Sequence, residues 1–238
     1  AVSQKIPYGT SYSVSVNSMN GYNSPATQTF IASQQTRTVF MIYEEVMRGV
    51  FIQDITGKLW KESTWNASVN ANGIAVLTDD CEFVIALDES SMLGVDGSGT
   101  SNNMTLETHY TPSEAIRNFS GLSNTNVMVS VYGNDTKEAA GYCTNFTFPN
   151  GNNGYLGSAG EWQAVCDNID TINSCILKIN GKSMNKIRNY WTSTRGINTT
   201  TSSSSSTKRH SFFVVVNFKV SGNFIVLNYG YARPFTTL

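Results

Sequence analysis

The middle of this chain carries helix-start signals, and segments that alternate like β-strands lie before and after it. Thr111-Pro112-Ser113-Glu114 offers a capping side chain, a proline at the first helical position and a glutamate that can close a capping box. Ser158-Ala159-Gly160-Glu161 repeats the capping box, and apolar residues follow it at helical spacing. A further helix is predicted from Ile169 or Asp170 to Ile179, stopped by Asn180-Gly181. Strands, then helices, then strands predict an α+β fold.

Alternation of apolar and polar residues divides the chain into two predicted parts. Residues 1–47 are expected to form a small β-rich module, a fragment of a β-sandwich-like repeat, and residues 48–238 a second, larger domain. The expected strands of the module place Tyr12, Val14 and Val16 on one face and continue at residues 27–31 and 36–43.

The second domain is predicted to open with two hairpins, one turning at Thr56-Gly57 and one at Asp79-Asp80. Residues 88–110 are rich in Gly, Ser and Asp and are expected to form a long surface loop. The C-terminal strands of the second domain are predicted at residues 189–193, 212–219, 223–227 and 229–235.

A run of nine Thr and Ser residues, Thr199 to Thr207, interrupts the C-terminal strands. Such a run cannot bury apolar area, so it predicts a mobile loop or a hairpin tip. An extended contact loop for a ligand is the functional alternative.

Composition supports a folded chain and restricts its partners. Of the 238 residues, 40% are hydrophobic, which is enough for a core, while only 14% are charged and the net charge is -1. This balance predicts neither nucleic acid nor an anionic membrane as a partner. No apolar run approaches the roughly 20 residues that span a bilayer. No signal peptide opens the chain, so an exported protein would be present here as a mature or truncated form.

The cysteines leave two interpretations open. Cys81, Cys143, Cys166 and Cys175 show no Cys-x-x-Cys pair and no zinc spacing. Cys166 and Cys175 lie in consecutive predicted helices and would be the pair to form a disulfide. Four buried or partly buried free thiols are the favoured interpretation.

Catalytic and metal-binding patterns are weak. The two histidines, His109 and His210, have no acid or nucleophile at a known spacing, which favours surface or loop positions for both. Asp88, Glu89 and Asp96 offer oxygen ligands for calcium, although a solvated loop is the favoured interpretation. The sequence therefore predicts no catalytic residue, no metal and no cofactor.

Six phrases in a fixed order carry a family resemblance. They are Gly49–Asp54, Gly73–Cys81, Tyr142–Gly151, Gly154–Trp162, Tyr190–Thr194 and Ala232–Phe235. Over residues 49–238 the chain resembles the C-type-lectin-fold surface proteins of gut Bacteroidetes and their phages. Many of those are variable proteins of diversity-generating retroelements.

The resemblance implies a C-type-lectin-like fold, related to formylglycine-generating enzymes, whose C-terminal strands and loops bind ligand. Retroelement mutagenesis acts on adenines and enriches variable positions in Asn, Tyr, Ser and Phe, which are common between Arg188 and Tyr231. The copper-dependent oxidation of the enzyme branch is not implied, because no cysteine follows Cys175. Arg233 is implied to belong to the scaffold, paired with a buried carboxylate such as Glu161.

The function expected from these observations is non-catalytic ligand binding at a surface. The chain would be an extracellular receptor or adhesin on a bacterial cell or a phage virion, and its partner a protein or glycan on another cell or host surface. A phage tail-fibre or pilus-tip adhesin and a calcium-dependent lectin are the alternatives. The predicted contact residues are Arg195, Ile197, Asn198, His210, Phe212, Asn223, Phe224, Val226, Asn228 and Tyr229.

Overall fold

The structure is a computed structural model. It describes residues 6–17, 22–23, 25–33, 39–42, 44–45, 47–94, 104–202, 205–221 and 229–238. The chain forms two compact units, Ala1–Met47 and Arg48–Leu238.

The first unit contains two small antiparallel sheets. Strands β1 (Ser11–Val14) and β3 (Gln28–Ile31) pair with Tyr12 opposite Phe30, and β2 (Tyr22–Asn23) pairs with β4 (Glu44–Glu45). Tyr12 and Val14 are half-buried while their neighbours in β1 are exposed, which confirms the predicted alternation there. The strand expected at residues 36–43 was wrong where it can be compared, because residues 39–42 have no strand pairing.

In the described residues of the second unit, five helices accompany sheets in which every strand pair but β9–β11 is antiparallel, which confirms the α+β prediction. A C-type-lectin-like fold stays a prediction. Its strands are β5 (Gly49–Asp54), β6 (Leu59–Trp60), β7 (Ala71–Leu77), β8 (Glu82–Ile85), β9 (Thr108–His109), β10 (Tyr155–Leu156), β11 (Tyr190–Ser202), β12 (Ser205–Val216), β13 (Lys219–Ser221) and β14 (Pro234–Thr236). Its helices are α1 (Pro112–Ala115), α2 (Gly121–Tyr132), α3 (Ala139–Asn145), α4 (Ala159–Asp167) and α5 (Ile169–Lys178), with a 3₁₀ turn at Glu62–Thr64. None of the described helices is both long and apolar enough to cross a membrane.

Two sheets organise this unit. The larger has the order β10-β14-β8-β7-β5-β6, so the last strand of the chain lies between strands from the middle and the beginning of the unit. The smaller has the order β13-β12-β11-β9, in which only the β9–β11 pair is parallel. Both hairpins expected at the start of the domain are present, as β5–β6 and β7–β8.

A hub of aromatic side chains joins the helices to both sheets. Trp162 of α4 is fully buried, with its ring centroid 5.0 Å from that of Tyr190 and 5.3 Å from that of Phe235. Tyr190 begins β11 and Phe235 lies in β14. One indole therefore holds α4 against both sheets.

The predicted helix starts and stops are confirmed, with one difference in bonding. Thr111 Oγ1 accepts from Glu114 N, but the Glu114 carboxylate accepts from Tyr110 N rather than closing the box on Thr111. Helix α4 has the full capping box of Ser158 and Glu161. Helix α5 ends before Asn180, whose φ of 57° is the left-handed stop.

The expected surface loop at 88–110 was wrong at several described positions. Glu89, Ser90 and Leu93 are buried, as are Met104 and His109 further on. The sequence did not predict the burial of these residues, because isolated apolar residues in a Gly- and Ser-rich stretch produce no periodic pattern.

Trp162→Ala should lower the free energy of unfolding by roughly 3–5 kcal/mol, because it removes the indole that joins both sheets. Tyr229→Ser is the matched control: this ring is 62% exposed, and the change should stay within about 0.5 kcal/mol. Urea unfolding midpoints measure both, and equal losses would contradict the assignment of Trp162 to the core.

Asp54 fixes the first hairpin. Its Oδ1 accepts from Thr56 N, Thr56 Oγ1 and Lys58 N, and its Oδ2 accepts from Trp60 Nε1 at 2.9 Å. Burial raises the pKa of this carboxyl, but hydrogen bonds from Thr56, Trp60 and Lys58 outweigh it and hold the pKa at about 2. The hairpin is therefore stabilised by the ionised form.

Asp54→Asn should cost about 1–3 kcal/mol at pH 6, because the new amide faces the Trp60 N–H donor-to-donor. Since the folded pKa lies below the unfolded one, this stabilisation is present above about pH 4 and is lost as pH falls towards 2. The difference between wild type and variant should therefore shrink over that range. Asp79→Asn is the control, since its side chain is 90% exposed, and a pH-independent difference for Asp54→Asn would contradict the interpretation.

Candidate ligand-binding site

The hairpin of β11 and β12 dominates the C-terminal part of the chain. Its strands pair antiparallel from Tyr190 opposite Val215 to Ser202 opposite Ser205, with one irregularity between Trp191 and Arg195. Along its length the hairpin passes from a buried base, which includes residues 190–195, to an arm of polar sequence.

The base is fixed on several sides. All residues from Tyr190 to Arg195 are buried. Trp191 Nε1 donates to Leu93 O at 3.0 Å, and Thr192 Oγ1 donates to Phe213 O at 2.8 Å. Thr194 Oγ1 accepts from Ala159 N at 2.8 Å. Neighbouring elements therefore set the direction in which the hairpin leaves the core.

The polar arm begins immediately beyond the base. Residues 198–211 include no apolar residue, yet the strands stay paired as far as Ser202 and Ser205. The hairpin interpretation of the Thr/Ser run is therefore confirmed for residues 199–202 and 205–207, while residues 203–204 lie outside the described part. At about 3.3 Å per residue, the arm reaches roughly 20 Å beyond Gly196.

The register brings five predicted contact residues together on this hairpin. Arg195 lies opposite Phe212, Ile197 opposite His210, and Asn198 in the next pair outward. The side chains of Arg195 and Phe212 are buried, and Arg195 Nη1 donates to Met104 O at 2.8 Å. These two residues therefore belong to the buried base of the hairpin.

The remaining predicted contacts lie near the C-terminus. Asn223, Phe224, Val226 and Asn228 are outside the described residues, whereas Tyr229 is described and exposed.

The backbone just after Tyr229 is held on both sides. Gly230 exchanges two hydrogen bonds with Leu93, and Tyr231 N donates to Asn189 O at 2.8 Å. A Cβ on Gly230 would lie 2.9 Å from Trp191 Nε1, so glycine permits this close approach.

Glu89 forms ion pairs with three cationic side chains. Its carboxylate is fully buried and accepts from Tyr190 Oη at 2.8 Å and from Arg233 Nη2 at 3.2 Å. Arg188 pairs with its other oxygen, and Lys182 Nζ is 3.6 Å from that oxygen. The solvated-loop interpretation was wrong for Glu89, and three cations leave its carboxylate no role as a calcium ligand.

Arg233 is buried and pairs with a buried carboxylate, as expected, but that carboxylate is Glu89 rather than the suggested Glu161. Arg233 pairs with Glu89 and also donates to Ala86 O and Lys182 O. Burial lowers its pKa to about 10, so it stays protonated at neutral pH.

The Glu161 carboxylate instead accepts hydrogen bonds at and near the start of α4. It accepts from Ser158 N, from Ser158 Oγ and from Tyr155 Oη. Burial raises the pKa of Glu161, and these three hydrogen bonds act in the opposite direction.

His109 is not the surface histidine that was expected. It is buried in β9, where it pairs with Gly196 at the base of the hairpin, and its Nε2 is 3.9 Å from Glu107 Oε2. The backbone of His210 lies in β12 within the polar arm.

The four cysteines are free thiols, which confirms the favoured interpretation, and the alternative pairing of Cys166 with Cys175 is not formed. Burial raises the pKa of Cys166 to about 12 and that of Cys175 to about 11, so neither ionises at neutral pH. Within the described ranges, no group of three or more His, Cys, Asp or Glu side chains is arranged to hold a metal ion.

No protein-family model and no curated protein matches the sequence. Among solved structures, the chain is similar to the crystal structure of a fimbrial protein from Bacteroides ovatus, with 13% identity and a TM-score of 0.48. The match covers 90% of this chain and 55% of that protein, so the chain spans about half of its length. Likeness at this level establishes neither a shared fold nor a shared role.

Glu89→Gln should lower the free energy of unfolding by roughly 3–5 kcal/mol, because it leaves the buried Arg233 charge without its counter-ion. Asp88→Asn is the neighbouring control: its side chain is 67% exposed, and the change should cost at most about 1 kcal/mol. Both are measured by urea unfolding at neutral pH. Equal effects at the two positions would show that the Glu89 pairs do not stabilise the frame.

Proposed function

We propose that this chain is a non-catalytic ligand-binding protein, displayed on a bacterial or virion surface, that contacts its partner through the arm of the β11–β12 hairpin. The arm is defined as residues 197–210. The observation that carries the proposal is the change within one hairpin, from a fully buried base to a paired arm that is polar from Asn198 outward. Because the arm has almost no apolar residues to bury, core packing does not explain its presence, and we assign it a role in binding.

Recognition chemistry supports this location. Asn, Ser, Thr and His side chains provide adaptable hydrogen bonds, and the exposed ring of Tyr229 provides contact area at low entropic cost. Ile197, Asn198, His210 and Tyr229 are the contact residues retained from the sequence prediction. The partner would be a protein or glycan on another cell or host surface.

The absence of catalysis is also a proposal. Glu89 and Glu161, two buried carboxylates, are each engaged by structural partners, Glu89 in ion pairs and Glu161 in hydrogen bonds. His109 is buried beside a strand rather than placed in an open cleft. Such groups stabilise a frame and leave little to act on a substrate.

The resemblance carried by the six phrases also leads us to propose retroelement diversification of a C-type-lectin-like fold. This proposal is consistent with the division of the hairpin into a buried base and a polar arm. Ladder hydrogen bonds come from the backbone, so arm side chains can change without removing core contacts. A nearby reverse-transcriptase gene with a near-copy of the segment encoding the arm would support this part of the proposal. Neighbouring genes for tail assembly or a pilus would instead favour the tail-fibre or pilus-tip alternative.

Shortening the arm tests the binding site directly. Asn-Gly in place of residues 200–207 would join Thr199 to Lys208, which are register partners, through a two-residue hairpin turn. Because the deleted residues are all Thr or Ser, the unfolding free energy should change by no more than about 0.5 kcal/mol. Binding to ligands found by glycan and protein arrays should fall by at least about tenfold, or about 1.4 kcal/mol.

The double variant Asn198→Ala with His210→Ala tests the same surface without changing chain length. It should weaken the same array ligands, while Lys61→Gln, an exposed change far along the sequence, should not. Ligands that bind all of these variants as tightly as wild type would place recognition elsewhere.

A further inference from the structure

The net charge of -1 is the sum of two oppositely charged stretches of sequence. Residues 1–170 contain all 17 acidic residues and 7 of the 16 Lys and Arg residues. Residues 171–238 contain the other 9 cations and no acid. The prediction that neither nucleic acid nor an anionic membrane is a partner rests on the total charge, whereas the C-terminal stretch by itself is positive.

Part of this positive charge is neutralised or buried, and part is open. Arg195 and Arg233 are buried, and Arg188 pairs with Glu89. Lys178, Lys186 and Lys219 are exposed, and none of them forms a salt bridge with another described residue. Lys208 and Arg209 occupy register positions on the polar arm, opposite Thr199 and Asn198.

Two of the open cations share one depression. Lys186 and Lys219 line an open hollow of about 710 Å³, together with Val216, Asn217, Val220 and Ser221. Asn217 and Phe218, with φ of 51° and 55°, form the tight turn that brings β13 back beside β12. The hollow therefore adjoins the strand that carries Lys208 and Arg209.

We call Lys186, Lys219, Lys208 and Arg209 together the cationic strip. In the order β13-β12-β11-β9, Lys219 lies on β13, and Lys208 and Arg209 lie on β12. Glu107, with an exposed side chain, lies beside β9 at the opposite edge. Lys219 lies opposite Val216, and Lys208 lies eight residues further along β12, roughly 26 Å away at about 3.3 Å per residue. Because successive residues of a strand alternate between its faces, Lys208 shares the register face of Val216 and Arg209 lies on the other face. Cations spaced along the length of one strand suit an extended linear chain better than a nucleic-acid duplex or a membrane.

We infer that this strip binds a linear acidic polysaccharide, one that carries carboxylate or sulfate groups along its chain. Lys186, Lys219, Lys208 and Arg209 would neutralise the acidic groups, and the Ser, Thr and Asn residues of the arm would bond the hydroxyls. This inference rests on the proposed binding function and specifies its ligand class. Because the exposed charges are screened beyond about 8 Å at physiological salt, the strip acts locally despite the acidic remainder of the chain.

The test measures binding of heparin and polygalacturonate, as sulfated and carboxylated probes, to the whole chain by calorimetry. We expect binding that weakens at least about tenfold when NaCl rises from about 50 to about 300 mM, and no binding of neutral dextran. Lys186→Gln with Lys219→Gln should weaken binding at least about fivefold, as should Lys208→Gln with Arg209→Gln. Preference for heparin or polygalacturonate identifies which acidic group is recognised.

Lys61→Gln with Lys137→Gln is the matched control, because both lysines are exposed and the change in net charge is the same. Its affinity should stay within about twofold of wild type. An equal loss in this control, or no binding of either probe, would overturn the inference. Tighter binding of duplex DNA or of phosphatidylglycerol vesicles would also overturn it, in favour of those partners.

The outcomes separate this inference from the proposed function. A neutral array ligand that is lost on shortening the arm would leave the proposed function standing and remove the acidic-polysaccharide inference. Polyanion binding that depends on Lys186 and Lys219 but not on the arm would retain the cationic strip and move the binding site away from the hairpin.

Discussion

The buried Glu89 carboxylate holds together parts of the second unit that are far apart in sequence. It contacts Tyr190 at the start of the hairpin, Arg233 near the C-terminus, and Arg188 and Lys182 in the connection that precedes β11. Buried ions are costly unless they are paired and hydrogen-bonded. With three cations and a phenol around it, Glu89 meets that condition in the arrangement that these segments adopt. A change in their arrangement that removed these partners would leave a buried charge unpaired, so the contacts of Glu89 favour this arrangement.

The aromatic hub completes this frame. Trp162 packs on Tyr190 and Phe235, so the residue that bonds Glu89 through its hydroxyl also packs on α4 through its ring. Polar and apolar constraints thus meet at Tyr190, the first residue of β11. A hairpin anchored so firmly at its origin can project a long polar arm without help from the arm itself.

Sequence patterns predicted the elements whose signals are local. The capping residues Thr111 and Ser158, the Asn180 stop and the two first hairpins depend on near neighbours, and each is present. Helix α2 was missed because its buried face includes Asn124 and Thr125, whose hydrogen bonds replace an apolar stripe. The expected buried carboxylate partner of Arg233 is present, but it is Glu89 and not the suggested Glu161. Glu89 and Glu161 are both acids in polar surroundings, and only the chain path decides which of them meets the arginine.

The predicted contact residues on β11 include Arg195, which the structure places in the core. Arg195 and Ile197 are two positions apart, and both looked permissive, yet the burial that claims Arg195 is set by Met104, a residue 91 positions away. No periodicity within β11 reveals where that packing ends. The extent of the buried base becomes visible only through contacts across the sheet. Backbone pairing continues from Arg195 to Ser202, where the sequence from Asn198 outward is polar. Because the ladder is made of backbone hydrogen bonds, a strand can keep its geometry while its outer side chains change, and the proposed binding function requires this property.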